Sequence, residues 1–360
     1  YFFNEENAIY THIKNASYYH KDFEKHLPKY KRNQSKLNDL KFVDLFAGIG
    51  GFHLALNKVN GKCVFSCEWD KNAKKTYYNN FNIYPFGDIN KFTGSHIEDH
   101  EIENIIPNHE ILCGGFPCQP FSLAGVSARN SLGLKHGFEC KTQGTLFYSI
   151  ARIMSVKKPK IVFLENVLNL IRHNKGETIR IIESIIRELG YDFKKEIIDS
   201  SSVVPQRRKR CFMICVRKDV FDSKGEFIFP SFAGESIPLR SIIEENPDRK
   251  FFISERLWQG HQDRTKKNLE RGTGFTAFTA DLEKPSNTIV ARYGKDGKEC
   301  LINHDGEIRM LTIKECKKLF GFPESFRMPE TKTTCYKQFG NSVVVPVVEK
   351  IAKQIKSQYF

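Results

Sequence analysis

Cys118 stands in the run Ile111-Leu112-Cys113-Gly114-Gly115-Phe116-Pro117-Cys118-Gln119-Pro120-Phe121-Ser122. A short apolar strand runs there into glycines and a proline, and turn chemistry of that kind would display a thiol at the mouth of the strand. A displayed thiol in a chain of enzyme size is a candidate nucleophile; the alternative is a small buried hydrophobe. Glu165 closes the apolar run Ile161-Val162-Phe163-Leu164. Desolvation at a strand's carboxyl end favours the acid form, which makes Glu165 a general-acid candidate, with a capping or ion-paired glutamate as the alternative. Gln206-Arg207-Arg208-Lys209-Arg210 leads into Cys211-Phe212-Met213-Ile214-Cys215-Val216. Alternation along a strand puts Arg208 and Arg210 on one face, either toward a cleft or on a plain basic surface.

A second group of residues suits a nucleotide-type ligand. Asp44-Leu45-Phe46-Ala47-Gly48-Ile49-Gly50-Gly51-Phe52 ends a strand and opens a helix. Glycines at such a turn let backbone approach a ligand closely. Glu68-Trp69 follows the next apolar run, supplying a carboxylate for ribose hydroxyls and an indole to stack on adenine. A third strand is expected to deliver Gly87-Asp88-Ile89, whose carboxylate would meet the exocyclic amine. Each alone is also what an ordinary tight turn looks like; the three fall in order at successive strand ends.

The elements that must hold these residues are short apolar runs alternating with helical patterns. Runs at 42–46, 63–67, 111–113, 161–164, 193–198 and 212–216 read as strands, and 146–156 and 178–189 as helices. That alternation marks an α/β fold with a mostly parallel sheet, whose ligands bind at the carboxyl ends of the strands. After Pro230 the alternation stops. From 233 to 335 there are turn signals, basic residues and scattered strands, including Arg271-Gly272-Thr273-Gly274-Phe275 and Thr288-Ile289-Val290-Ala291-Arg292-Tyr293. A loop at Gly340-Asn341-Ser342 precedes a proline-led helix with Val347, Val348, Ile351 and Ile355 on one face. Residues 1–40 read as an extension.

Composition narrows the partners. The chain has 56 Lys and Arg against 42 Asp and Glu, a net charge of +14 spread along its length. That excess points to a polyanion, nucleic acid first, with a lysine-rich soluble surface as the alternative. The ten cysteines show no disulfide framework, and Cys63, Cys67, Cys113, Cys211 and Cys215, in or beside apolar runs, read as reduced core residues of a cytoplasmic protein. Cys63 and Cys67 have no second ligand pair at finger spacing, so no metal is expected. No run approaches the roughly 20 apolar residues of a membrane span. The first residue is Tyr1, so the chain is expected to begin after its translated start.

In these residues the chain resembles a DNA (cytosine-5) methyltransferase of the bacterial restriction-modification kind, over about residues 41–360. Phe42 to Gly51 resembles the S-adenosylmethionine loop, Glu68-Trp69-Asp70 and Gly87-Asp88-Ile89 the next cofactor blocks, and Gly115 to Ser122 the catalytic loop. Glu165-Asn166-Val167 resembles the acid block and Gln206 to Arg210 the arginine block. Arg309-Met310-Leu311-Thr312 to Gly321-Phe322-Pro323 and Gln338-Phe339-Gly340-Asn341-Ser342-Val343 resemble the last two.

The resemblance implies a Rossmann-like, S-adenosylmethionine-dependent methyltransferase domain (41–232 with 336–360), an irregular target-recognition domain (233–335) and an N-terminal extension (1–40). It implies S-adenosylmethionine as cofactor, with S-adenosylhomocysteine as product and no metal. Phe46, Gly48, Ile49, Gly50, Glu68, Trp69, Asp88, Ile89, Pro117, Leu146, Asn341, Ser342 and Val343 would hold the cofactor. Cys118 would be the thiolate that attacks cytosine carbon 6, with Arg208 helping to hold the anion. Glu165 would act at ring nitrogen 3 and Arg210 at the carbonyl oxygen of position 2. The base must be flipped out of the duplex. Gln119, Ser122, Arg271, Thr288, Arg292 and Tyr293 would meet DNA. A monomer acting on double-stranded DNA is expected, alongside a cognate restriction endonuclease.

The segment 127–140 is longer than in the smallest family members, and with 253–258 and 292–297 it is similar to relatives that methylate CCWGG, CCNGG or CCGG sites. Methylation of RNA and a catalytically inactive binding module are the competing functions. The basic stretch 233–335 argues against the first, and the intact catalytic and acid blocks against the second.

Overall fold

The computed structural model describes residues 40–117 and 146–360, apart from Thr273 and Phe275. The expectations placed on Cys118, Gln119, Ser122 and residues 1–39 lie outside the described residues. By packing, the chain divides into two compact units. One comprises residues up to Ile197 with Arg210–Phe229 and Ile351–Phe360; the other comprises Ile198–Lys209 and Pro230–Lys350.

Six strands build the first unit's sheet: β1 (Leu40–Leu45), β2 (Gly61–Cys67), β3 (Ile111–Gly115), β4 (Ile161–Val167), β5 (Tyr191–Asp199) and β6 (Lys209–Arg217). Their order is β2-β1-β3-β4-β6-β5. The pairs β1–β2, β1–β3 and β3–β4 are parallel, and β6 runs antiparallel to β4. Strands buried on both faces are written as continuous apolar runs, which is why β1, β3, β4 and β6 were legible, whereas the edge strand β5 carries the exposed Lys195, Glu196 and Ile197. Alternate residues such as Val43, Leu45, Leu112, Val162, Leu164 and Met213 enter one core with the apolar faces of two helices. These helices are Leu146–Lys157 and Glu177–Glu188. On the other side Phe52, from the helix α1 (Gly51–Asn57), packs edge-on to Phe163 at 5.1 Å. The order reverses around β1 and β3, so the loops after these strands open at the sheet's ligand-binding edge.

Two expected strands are absent. Before Gly87 there is only an isolated bridge between Cys67 and Phe86. The segment from Thr288 to Tyr293 has no strand either; it runs as irregular chain into a short helix, and its ladder contact is a bridge between Gln206 and Ser286. The backbone pairing with the 205–208 stretch stops at that single bridge, too short to make a strand of the β-branched run that follows.

The second unit is stitched by a hairpin, β7 (Leu301–His304) and β8 (Glu307–Met310). Its turn, Asp305-Gly306, has positive φ at both residues (52° and 91°), the geometry that a tight hairpin favours. Arg309 and Glu315 form a fully buried two-pronged pair at 2.8 Å for each prong, and Thr312 and Glu315 close a capping box on the next helix. Among the described residues no helix is long and apolar enough to cross a membrane.

Candidate functional site

The glycine turn after β1 is built from strained backbone. Phe46, Gly48 and Gly50 have φ of 54°, 55° and 89°. A side chain at Gly50 would place its Cβ 2.2 Å from the Phe81 ring, so only glycine fits there, whereas the space around the Cα of Gly48 is open. Glu68, just past β2, closes over this turn. One carboxylate oxygen accepts from the Gly48 N–H at 2.8 Å and the other from the Asp70 N–H at 2.7 Å. Burial pushes the Glu68 carboxyl up, and those backbone donors oppose the shift. Trp69 beside it is 76 % exposed, an indole face with no packing reason to be there. Asp88 accepts from the Asn90 N–H, and the Cys67 thiol donates to the Gly87 carbonyl, fixing the third loop. Ile49 and Ile89 are buried, so they form the floor of these turns.

Beneath the turn lies a polar cluster. The Tyr77 hydroxyl, from α2 (Lys71–Phe81), meets His53 Nδ1 at 2.6 Å and donates to Asp44 at 3.4 Å; Cys63 and Cys113 complete the group at 3.7 and 3.9 Å. Burial raises the Asp44 carboxyl to about 8 and lowers His53 to about 3.

At the ends of β3, β4 and β6 the second set converges. Gly115 pairs with Glu165 across β3 and β4, and Arg210 with Val167 across β4 and β6. Glu165 and Arg210 are thus diagonal neighbours on one face, and Arg210 Nε stands 3.0 Å from Glu165 Oε1. Burial lowers the Arg210 guanidinium's hold on its proton, and the Glu165 charge opposes that shift. Asn166 donates from its side chain to the Phe116 carbonyl at 2.8 Å, anchoring the chain where it leaves β3 toward the exposed Pro117. Asn166 was missed as a functional residue: an amide in an acid block gives no sign in sequence of the carbonyl it will meet.

Arg208 departs from expectation. It precedes β6, outside the alternation, and is buried in the second unit. Its guanidinium donates to the carbonyls of Ile289 (2.8 Å), Gly340 (2.9 Å) and Ser342 (2.8 Å). A buried cation needs acceptors, and among the described residues it has found backbone carbonyls; its expected role toward the Cys118 thiolate falls on a residue outside the described ones. Tyr293 is likewise not at a surface. It is fully buried, with its hydroxyl donating to Cys300 O and accepting from Leu311 N, so it presents no atom to DNA.

Arg271, Arg292 and Asn341 are exposed, Thr288 and Leu146 half-buried, and Ser342 and Val343 buried. Arg292 lies 3.8 Å from Glu299. A hollow of about 150 Å3 in the second unit is bordered by Arg207, Phe278, Lys284, Asn287 and Lys298. Among the described residues no group of His, Cys, Asp and Glu could hold a metal ion.

The profile of C-5 cytosine-specific DNA methylases matches residues 40–357. The chain belongs to the C-5 cytosine-specific DNA methylase family. This methylase is 42% identical over 334 residues to the Type II methyltransferase M.SsoII of Shigella sonnei, covering 92% of this chain and 83% of that one. It is 38% identical to the DNA-cytosine methyltransferase of Escherichia coli K12, over 88% of this chain and 77% of the relative. With the Type II methyltransferase M.HhaI of Haemophilus parahaemolyticus it shares 36%, over 89% and 96%. The methylase is therefore an enzyme of the DNA (cytosine-5) methyltransferase class. Its fold is also that of a Spodoptera frugiperda DNMT2 mutant, with a TM-score of 0.67 at 20% identity over 88% of this chain and 99% of that one.

Proposed function

We propose that this methylase transfers a methyl group from S-adenosylmethionine to carbon 5 of a cytosine flipped out of a specific short duplex sequence, through a covalent Cys118 adduct at carbon 6. We propose too that it protects host DNA from a cognate restriction endonuclease, acting as a cytoplasmic monomer. The observation that carries this reading is the Glu165 and Arg210 pair, a carboxyl and a guanidinium 3.0 Å apart at neighbouring strand ends. Such a pair suits two adjacent polar atoms of one ring, nitrogen 3 and the carbonyl oxygen of position 2.

Attack by the Cys118 thiolate forms the sulfur–carbon 6 bond and drives electrons toward nitrogen 3. Glu165 holds a proton or hydrogen bond there, Arg210 steadies the oxygen, and carbon 5 becomes enamine-like. S-adenosylmethionine supplies the electrophilic methyl carbon that carbon 5 takes. Loss of the carbon 5 hydrogen to a base, with an ordered water the candidate, then expels the thiolate. The open space at Gly48, the positive φ there and at Gly50, the Glu68 carboxylate and the exposed Trp69 fit the cofactor's methionine, ribose and adenine parts. Phe46, Asp88, Asn341, Ser342 and Val343 would complete its contacts. Extruding a base costs a few kcal/mol, which the region 233–335 would offset through Arg271, Thr288 and Arg292 on DNA.

The test is a duplex carrying 5-fluorocytosine at the methylated positions, incubated with protein and S-adenosylmethionine. Elimination is blocked, so a denaturation-resistant adduct through residue 118 is expected. No adduct, or an adduct that persists in Cys118→Ser, overturns the mechanism.

A further inference from the structure

The stretch Pro205 to Arg208 does something that its basic character does not suggest. Ser286 N–H donates to Pro205 O and Arg207 N–H to Ser286 O, both at 2.9 Å, and the Thr288 hydroxyl donates to Arg207 O at 2.6 Å. The segment 286–289 is thus laid in register along 205–208. Two buried side chains then seal it. Gln206 accepts from the Ile289 N–H at 3.0 Å and donates to Leu319 O at 3.2 Å, while Arg208 donates to the Ile289 carbonyl at 2.8 Å. One residue's N–H and C=O are therefore both held by side chains from this stretch, and Gln206 and Ile289 have no solvent exposure.

Arg208 reaches further. Its second terminal nitrogen spans the Gly340 and Ser342 carbonyls, and its guanidinium lies 5.2 Å from the centre of the Phe320 ring. The backbones of the two clamped segments also touch. A Cβ on Gly340 would fall 2.2 Å from Ala291 N and Val290 C, a distance that only glycine tolerates. The chain just after Ile289 and the turn at 340–342 are thus in direct main-chain contact, and one buried cation holds both.

We propose that Gln206 and Arg208 are positioning residues of target recognition. They hold the Thr288-Ile289 segment in one register, and Arg208 ties that register to the Gly340–Ser342 turn. Fixing backbone in this way makes the polar side chains beyond it selective, because a side chain that can shift accommodates a wrong base pair. The inference rests on the proposed reading of residues 233–335 as the recognition domain.

The experiment uses full-length protein and a library of duplexes with randomised bases around one cytosine, methylated and then read by bisulfite sequencing. Wild type is expected to yield one sharp sequence context. Gln206→Met removes both hydrogen bonds, and its preferred context is expected to spread to single-mismatch sites, with discrimination falling about tenfold. Arg208→Lys keeps the charge and loses the fork; it is expected to spread the context and also weaken S-adenosylhomocysteine binding, measured by calorimetry, whereas Gln206→Met leaves that binding unchanged. Lower rates with an unaltered context in both variants would make the clamp merely structural and overturn the proposal. Unfolding curves accompany each variant, and if Gln206→Met does not fold, the context of Arg208→Lys decides. Failure of wild type to methylate any duplex would instead strike the recognition-domain reading itself.

Discussion

Gly115 is the residue whose lack of a side chain leaves the Glu165 carboxyl in place. A Cβ there would come within 3.2 Å of Glu165 Oε2, so the carboxyl would have to give by a few tenths of an ångström, disturbing its 3.0 Å pairing with Arg210. Gly115→Ala is expected to lower the single-turnover methyl-transfer rate about tenfold, as small misplacements of reacting groups do, while leaving the unfolding midpoint almost unmoved. An unchanged rate would show that the carboxyl tolerates displacement. Gly114 makes the contrast: its Cβ would lie 2.5 Å from the Leu45 carbonyl oxygen, and strain against backbone costs stability rather than chemistry. From sequence both glycines read as a turn, but both lie inside β3, and what they supply is close approach. Glu165 and Arg210 were legible as chemistry because charged residues beside apolar runs are conspicuous. The anchoring of Arg208 on three backbone carbonyls was not legible, because such partners leave no trace in side-chain spacing.

At the scale of elements, β1, α1, β2, α2 and β3 meet at the buried group of Asp44, His53, Cys63, Tyr77 and Cys113, directly under the glycine turn. Burial raises Asp44 from 3.8 to about 8 and lowers His53 from 6.5 to about 3. The folded protein thus holds a proton on Asp44 that the unfolded chain has released between those values, and stability falls as pH rises through that window, by at most about 1.4 kcal/mol per unit. His53 acts oppositely below 6.5, where the unfolded chain takes up the proton that the folded one refuses. Between pH 6.5 and 8 the Asp44 slope stands clear of it. Urea unfolding at several pH values across that interval is expected to show Asp44→Asn gaining on wild type as pH rises; a constant difference would mean that Asp44 is already ionised in the fold. The strands that carry this group were readable from their apolar runs. Its polar members were not, since a lone Tyr77 or His53 on a helix looks the same whether it faces solvent or a buried carboxyl.

Over the whole molecule, sequence pattern fails where burial is one-sided or slight. The helix Glu255–Glu270 was not anticipated, for only His261 and Thr265 are buried along its sixteen residues and there is no apolar stripe to read. The hairpin at Asp305-Gly306 left a usable signal in that dipeptide, but its strands are too short to show alternation. What did survive at this scale is charge, which needs no pattern. The net +14 includes many lysines and arginines that are already paired on the surface, such as Arg240 with Glu283 and Arg249 with Glu307, so the excess that faces a polyanion is set by position rather than by sum. If the irregular region contacts several phosphates, each releases counterions and contributes a slope of about −0.9 to the logarithm of duplex affinity against that of salt. Affinity of the full chain for a duplex is then expected to fall about a thousandfold between about 50 and about 200 mM salt, measured by fluorescence anisotropy. Arg271→Ala or Arg292→Ala should each shallow the line by about one unit where the arginine holds phosphate. A slope that stays the same while the preferred sequence broadens would assign that arginine to a base edge instead.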